Sequence, residues 1–405
     1  MKLLILTQYF PPEVGAPQYR LMSLARHLNS AGVEVTVLTA MPNYPKGEIF
    51  PSYKRLSYHV EEMDGVRVHR ASVYPTKSKS IGKRLRNYFS FVRSSYFAGR
   101  KHLERHYDYI LCESPPLFLG ISAWLLCKNK NAKLIFNVSD LWPESAEKLG
   151  LVTNRFFLFL ARWLEAFLYR RSWLITGQTQ GIVRDISRRF PHKKVHWLPN
   201  GIDEKEFVPH KQYSDWRRAN QMNEKDFVLL YAGIMGYAQG LDVIIKAAAL
   251  LSDRREIKFH LLGNGPEKEK LIEMKNSMHL DQVLISDVIP KEEMPAVLHA
   301  SDMVIIPLKK LALFRGAIPS KIFEALAMKK PLLLGVDGEA RDLFIDQGKA
   351  GFFFEPEGAE DLAEKIIWCF EHRAEVQQAG ERGCSFVRKY FNRRQIAAEF
   401  YQLLE

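Results

Sequence analysis

Two residues of opposite charge, Lys321 and Glu324, stand one helical turn apart in the stretch "GAIPSKIFEALAMKKP". Pro319 suits the first positions of a helix and Ser320 a cap, so the lysine falls at a helix start. Free backbone N–H groups favour an anion there, and a lysine adds a full charge and three donors. A carboxylate one turn on, on the same face, is placed to accept two vicinal hydroxyls of a ribose. Together the two would hold a nucleoside diphosphate, with Lys321 on the phosphates and Glu324 on the sugar of the nucleoside. Taken alone, the same spacing reads first as a surface ion pair worth roughly 0.2–0.5 kcal/mol.

Other loops carry residues fit for binding. "YAGIMGYAQGLD" sets Gly233, Gly236 and Gly240 between a strand and a helix, where glycine lets backbone N–H groups approach a phosphate or simply turns the chain. "LLGNGPEKEKL" offers Gly263 and Gly265, but Lys268 stands where a dinucleotide fingerprint needs a third glycine, so a nicotinamide site is not indicated. "QYFPPEVGAPQYR" has an open turn at Gly15 and Ala16, with Arg20 in the first helical turns, either facing a ligand or solvated. In "GVDGEARDLF" the backbone at Gly338 and Glu339 is within reach of a diphosphate, while the Glu339 carboxylate reads as a helix-start charge. "NVSDLWPESA" ends a strand on Asp140 and offers Trp142 as an apolar face for a sugar ring; the plainer alternative is an Asp cap and a core Trp. His27, His59 and His69 lack metal-ligand spacing.

Positioning these loops takes two domains. At 405 residues the chain exceeds one ordinary core, and 47% apolar with 26% charged residues is a globular composition. The strand-like runs "KLLILTQ", "VEVTVLTA", "VRVHRASV", "YDYILCES", "AKLIFNVS" and "WLITGQT" alternate with helical patterns, and the rhythm restarts at "FVLLYAG" after a polar stretch. From there helices are expected over 240–251, 266–277, 292–299 and 320–329, with strands "KFHLLG", "QVLIS", "DMVIIPL" and "PLLLG". Such alternation predicts parallel sheets covered on both faces, α/β in class, with ligands at the carboxyl ends of the strands. The expected division is residues 1–205, residues 206–390, and a terminal helix 391–405 returning to the first domain. Four scattered cysteines without a C-x-x-C pair fit a reducing compartment, and neither a secretory leader nor a membrane-spanning run is visible.

The segments "LTQYFPPEVGAPQYRLMSLARHLNSAGVEVTVLTAMPNYP", "LPNGID", "YAGIMGYAQGLD", "LLGNGPEKEKL", "ASDMVIIPL" and "AIPSKIFEALAMKKPLLL" together resemble the retaining GT-B glycosyltransferases of the large bacterial polysaccharide-assembly family. Within it, the O-antigen and capsule N-acetyl-L-fucosamine transferases look most similar. The resemblance implies two Rossmann-like doubly wound domains facing a central cleft. It implies a nucleotide-sugar donor, a UDP-sugar, on the C-terminal domain, an acceptor on the N-terminal one, and no metal. By this likeness Glu324 matches the second acid of an E-x7-E motif, and Lys321 and Ser320 contact phosphate. Asp140, Lys321 and Glu324 become the catalytic candidates. Gly15, Gly233, Gly236, Gln239, Gly263, Gly265, Val288, Ser320, Gly338 and Glu339 join the donor contacts, and Arg20, Trp142 and Arg84 the acceptor contacts. Backbone around Gly263–Gly265 and Val288 would meet the base. The chain departs from the pattern at Gly316, where the first acid is expected, and at Ile234 and Gln239, where an Arg and a Lys are expected.

Net charge is +12, yet no nucleic-acid module is present. Between Lys77 and Arg105 stand nine Lys or Arg and one acid, with Leu85, Tyr88, Phe89, Val92 and Tyr96 on one helical stripe. "NRFFLFLARWLEAFLYRRSW" adds an aromatic segment flanked by arginines. Basic, aromatic helices of this kind fit the inner face of the plasma membrane, where a lipid-linked saccharide acceptor resides; the competing reading packs both stripes on the sheet. The expected protein is a cytoplasmic, peripherally membrane-associated transferase. A GT-B-type UDP-sugar 2-epimerase and a catalytically silent nucleotide-sugar-binding partner subunit remain as alternatives.

Overall fold

A computed structural model of the chain describes residues 1–405 apart from Lys79, Leu149, Leu151, residues 210–215 and Gln221. Part of the polar stretch expected to link the domains therefore lies outside the described residues. The structure divides into two units, Met1–Asn200 with Arg393–Glu405, and Gly201–Asn392.

Unit 1 is built on an eight-stranded sheet. Its strands are β1 (Lys2–Leu6), β2 (Glu34–Ala40), β3 (Tyr58–Met63), β4 (Val66–Ala71), β5 (Tyr109–Ser114), β6 (Lys133–Val138), β7 (Leu174–Gly177) and β8 (Val195–Trp197). Their order is β3-β4-β2-β1-β5-β6-β7-β8. Leu3 to Leu6 of β1 are fully buried, as a central strand covered on both faces requires. One face packs under the helices Ile81–His102, Leu119–Lys130 and Arg155–Arg171. The other packs under Ala16–Ser30 and the terminal helix Arg393–Leu404, and Tyr109 Oη donates to the Leu404 carbonyl at 2.8 Å. Strand order reverses at β1/β5, which opens a crevice over the loops that follow them.

Unit 2 has six parallel strands: β9 (Phe227–Ala232), β10 (Ile257–Leu262), β11 (Val283–Ser286), β12 (Met303–Pro307), β13 (Leu332–Gly335) and β14 (Gly351–Phe353). They run β11-β10-β9-β12-β13-β14, so order reverses between β9 and β12. The loops after those two strands hold the "YAGIMGYAQGLD" glycines and the "KKLALFRGAI" segment. The helix expected over 320–329 is Lys321–Ala327, and that over 292–299 begins as a 3-10 turn before Met294–Ala300.

The parallel-sheet expectation holds in both units, with three strands added to it. Strand β3 pairs antiparallel with β4 through Asp64 and Gly65, both at positive φ. That Asp-Gly pair is a strong hairpin signal, but the polar run "YHVEEM" hid the strand. Strands β8 and β14 are three residues each, too short to show a pattern.

Candidate active site

In unit 2 the loops after β9 and β10 lie back to back. Met235 N–H donates to the Asn264 carbonyl at 2.9 Å, and Glu267 N–H to the Met235 carbonyl at 3.0 Å. A methyl group on Gly263, whose φ is +152°, would lie 1.9 Å from the Gly233 carbonyl oxygen. One on Gly265 would lie 2.3 Å from that of Met235. These two glycines are therefore required for loop-on-loop packing. At Gly233 the obstacle is different: a Cβ there would meet the Lys321 ammonium at 2.7 Å. Gly236 has ordinary backbone angles, and the Gln239 carboxamide folds over it. Gly338, at φ +93°, backs onto the Arg315 carbonyl. Glu339 beside it is buried, and Val288 is exposed. Lys268 anchors the loop before Val288 through an ion pair to Asp287 at 2.5 Å.

Lys321 is not part of a surface ion pair. Its ammonium lies 3.9 Å from the centroid of the Tyr231 ring, and among the described residues no ion pair joins it to a carboxylate. Tyr231 is fixed in turn by donating to the Ile234 carbonyl at 2.6 Å. Burial of the amine pushes it down to about 7, against the opposing pull of Glu324. Near neutrality the group is thus poised between states, and an arriving phosphate would favour the charged one. Ser320 sits at the cap position but its hydroxyl makes no capping bond, because its backbone is already helical (φ −60°, ψ −27°). The helix is only seven residues long, so Lys321, more than the helix dipole, supplies positive charge.

In unit 1, Asp140 follows β6. The residue is exposed, yet the protein packed around its carboxyl raises it above the usual aspartate range. Hydrogen bonds from Ser145 Oγ at 2.7 Å and from the Leu141 N–H oppose that shift. Trp142 is half-buried and packs edge-on against Phe118, with ring centroids 5.4 Å apart, so it belongs largely to the core. Arg84 is exposed near the start of helix Ile81–His102, 3.4 Å from Tyr88 Oη. Gly15 precedes helix Ala16–Ser30 in extended backbone, with the Gln18 carboxamide filling the space beside it.

Arg20, expected either to face a ligand or to be solvated, is committed first to a buried ion pair. It is buried, with one Nη 2.6 Å from Glu113 Oε1 and 2.8 Å from Ser139 Oγ. Asn137 donates to Glu113, and Thr176 to Asn137 at 2.6 Å, which joins the ends of β5, β6 and β7. Among the described residues Arg20 Nε and Nη1 have no hydrogen-bond partner. They border a cavity of about 20 Å³, room for a single water. The arginine holds Glu113 inside the unit and keeps two donor atoms toward that cavity.

Sequence reasoning missed Glu13. Its carboxylate accepts the backbone N–H groups of Phe10 (3.2 Å), Asn43 (2.7 Å) and Tyr44 (2.8 Å), which ties the loop after β1 to the loop after β2. Burial pushes it up to about 7 despite these bonds. A lone acid inside the apolar run "YFPPEVGAP" was the available signal. Among the described residues, no group of three or more His, Cys, Asp or Glu is placed to hold a metal ion.

A parallel sheet with glycine loops at its reversal point and a half-buried lysine packed on Tyr231 makes up an α/β unit, here preceded by a second sheet unit. Residues 15–201 match the family described as Glycosyl transferase 4-like domain, and residues 212–385 match Glycosyl transferases group 1. The chain belongs to the group 1 glycosyltransferases and is a transferase of that two-domain type. It is 26% identical over 334 residues, 81% of either chain, to the Escherichia coli (strain K12) protein named "Putative colanic acid biosynthesis glycosyl transferase WcaI". The solved sucrose-phosphate synthase of Thermosynechococcus elongatus superposes with a TM-score of 0.78 at 17% identity, covering 100% of this chain and 98% of that one. Anabaena Alr3699/HepE in complex with UDP and glucose gives 0.73 at 17% identity, covering 100% and 99%. These likenesses establish the GT-B-like fold.

Proposed function

We propose that the chain is a retaining, metal-independent glycosyltransferase acting in cell-surface polysaccharide assembly, of O-antigen or capsule type. It moves a sugar, an N-acetylated amino or deoxy-amino hexose such as N-acetyl-L-fucosamine, from a UDP-sugar to a polyprenyl-diphosphate-linked saccharide. The observation that carries this reading is the half-buried Lys321 ammonium, set against Gly233 with no ion pair to a carboxylate among the described residues. In that role Lys321 stabilises charge developing on the departing diphosphate, with no reorganisation at the moment of reaction. Glu324 accepts the ribose hydroxyls, and Asp140, with its raised carboxyl, orients a hydroxyl at the reacting centre. A relative named for colanic acid biosynthesis and a structural neighbour solved with UDP and glucose support the substrate classes. In the deciding experiment a panel of UDP-sugars is incubated with and without lipid-linked acceptor, in EDTA. UDP is expected only when both substrates are present, with the anomeric configuration of the donor kept in the product. Hydrolysis without acceptor, an inverted product or loss of turnover in EDTA would each overturn the corresponding part.

The same reading puts the protein at the cytoplasmic face of the plasma membrane, and a helix other than the one expected best supports that contact. Leu85, Tyr88, Val92 and Tyr96 of helix Ile81–His102 pack on the core, so that stripe is largely used internally. Helix Arg155–Arg171 instead exposes Phe156 (69%), Phe159 (63%), Leu160 (45%) and Trp163 (58%) at helical spacing, with Arg155, Arg162, Arg170 and Arg171 around them. No helix among the described residues is long and apolar enough to cross a membrane. An outward stripe of this kind lies in a headgroup interface and favours anionic lipid. Replacing Phe159 and Trp163 with Asp is expected to abolish co-sedimentation with anionic vesicles while leaving the thermal midpoint unchanged. Undiminished sedimentation of that variant would remove the membrane contact from this helix.

A further inference from the structure

We propose that Lys309 is the second cation of the diphosphate site in unit 2, held on the Tyr237 ring until a phosphate displaces it. This rests on the donor site proposed above. The placement follows from topology. Strand β12 lies beside β9 where strand order reverses, so the loop after β12 is delivered onto the loop after β9. Lys309 N–H donates to the Ala238 carbonyl at 3.0 Å. Its Cγ lies 3.2 Å from where a Cβ would stand on Gly240, a residue in the left-handed region at φ +57°. A side chain at 240 would therefore push the lysine stem off the loop. The ammonium ends 3.2 Å from the centroid of the exposed Tyr237 ring. No carboxylate among the described residues pairs with it.

Lys310 points to Glu355 at 2.5 Å, and its backbone N–H donates to Glu357 at 2.9 Å. Of two consecutive lysines, one is neutralised on the far side and the other is left with only a ring face. An exposed cation–π contact is weak and readily exchanged for a phosphate oxygen. At the other end of the same loop stands Lys321 against Gly233, so the segment Gly233–Gly240 has a lysine at each end. A diphosphate carries more negative charge than one half-protonated amine can meet. The neighbouring Gln239 brings no charge and is folded back over Gly236. Lys309 supplies what that loop lacks.

Calorimetric titration of the full chain at pH 6.5 with UDP, uridine and inorganic pyrophosphate tests the assignment. Lys309→Met is expected to weaken UDP and pyrophosphate roughly ten- to hundredfold and leave uridine unchanged. Lys310→Met should leave all three as in the wild type, and Lys309→Arg should retain most of the affinity. Lys309→Gln serves if the Met variant does not fold. If the wild type binds UDP and the Lys309 variants bind it equally well, or lose uridine in the same proportion, this assignment falls and the donor site stands. If pyrophosphate binds through Lys309 but UDP does not bind, the donor reading falls and the anion site stands. Failure of the wild type to bind either probe overturns both.

Discussion

Lys321→Met is expected to weaken UDP binding by roughly ten- to hundredfold or more and to lower turnover on the order of 10²–10³-fold. The side chain is the cation set directly against Gly233 in the loop after β9, and its removal leaves the leaving diphosphate without that donor. The pH dependence provides the sharper check. In the free protein the amine titrates at about 7, because burial disfavours its charge. A bound diphosphate favours the charged form and raises that value. Below pH 7 the lysine is already protonated and this term is flat. Above pH 7 each binding event takes up a proton, and affinity falls toward tenfold per pH unit until the complex itself titrates. Calorimetry at pH 8 in two buffers of different ionisation enthalpy should register the uptake, and Lys321→Met should abolish it. Stability carries the opposite sign. The unfolded lysine titrates near its ordinary 10.5 and the folded one near 7, so between those values the unfolded chain binds more protons. Wild-type stability should thus gain with rising pH over that window relative to Lys321→Met, and the burial cost is fully present below it. A UDP affinity in the variant equal to the wild type would dismiss the phosphate role.

Arg20→Met is expected to destabilise unit 1 by about 3–5 kcal/mol, because it strands the Glu113 carboxylate in the interior. Glu113 is buried, and two of its contacts come from Asn137 and Ser139, which can hydrogen-bond it but cannot neutralise it. The double variant Arg20→Met/Glu113→Gln should recover much of the loss, and the cycle of urea midpoints gives the coupling directly. The same pair separates structure from recognition. If Arg20 acts only within the unit, the double variant keeps the wild-type KM for acceptor. A KM raised many-fold in a well-folded double variant would return Arg20 to the acceptor contacts.

Much of the fold was legible because parallel strands buried on both faces are continuous apolar runs, and "KLLIL", "FVLLYA" and "MVIIP" advertise themselves. Glycines after those strands marked the loops. What stayed hidden depends on partners far along the chain. Gly263 read as a donor contact near the base, and only the fold shows that its lack of a side chain answers to the Gly233 carbonyl. Arg20 reads as an exposed helical residue until Glu113, 93 positions later, is placed beside it. Lys309 could not be assigned because only the adjacency of β12 and β9 brings it to Tyr237. The i, i+3 spacing of Lys321 and Glu324 was visible, but not that the amine packs on the Tyr231 ring. Strand β3 was lost because its alternation is polar on both faces.

That same strand has a bearing on how the chain behaves at high concentration. A sheet's outer strand presents unpaired amides to any passing strand and so invites cross-chain polymerisation. Here the four outer strands are β3, β8, β11 and β14. Three of them run only three or four residues, too short to seed a foreign partner. The fourth, β3, is six residues long but carries Glu61 and Glu62, with Glu61 paired to the buried Arg70. A chain docking there would have to dehydrate a carboxylate for each pair of amides gained. The two large sheets can thus be kept at high protein concentration without growing into one another.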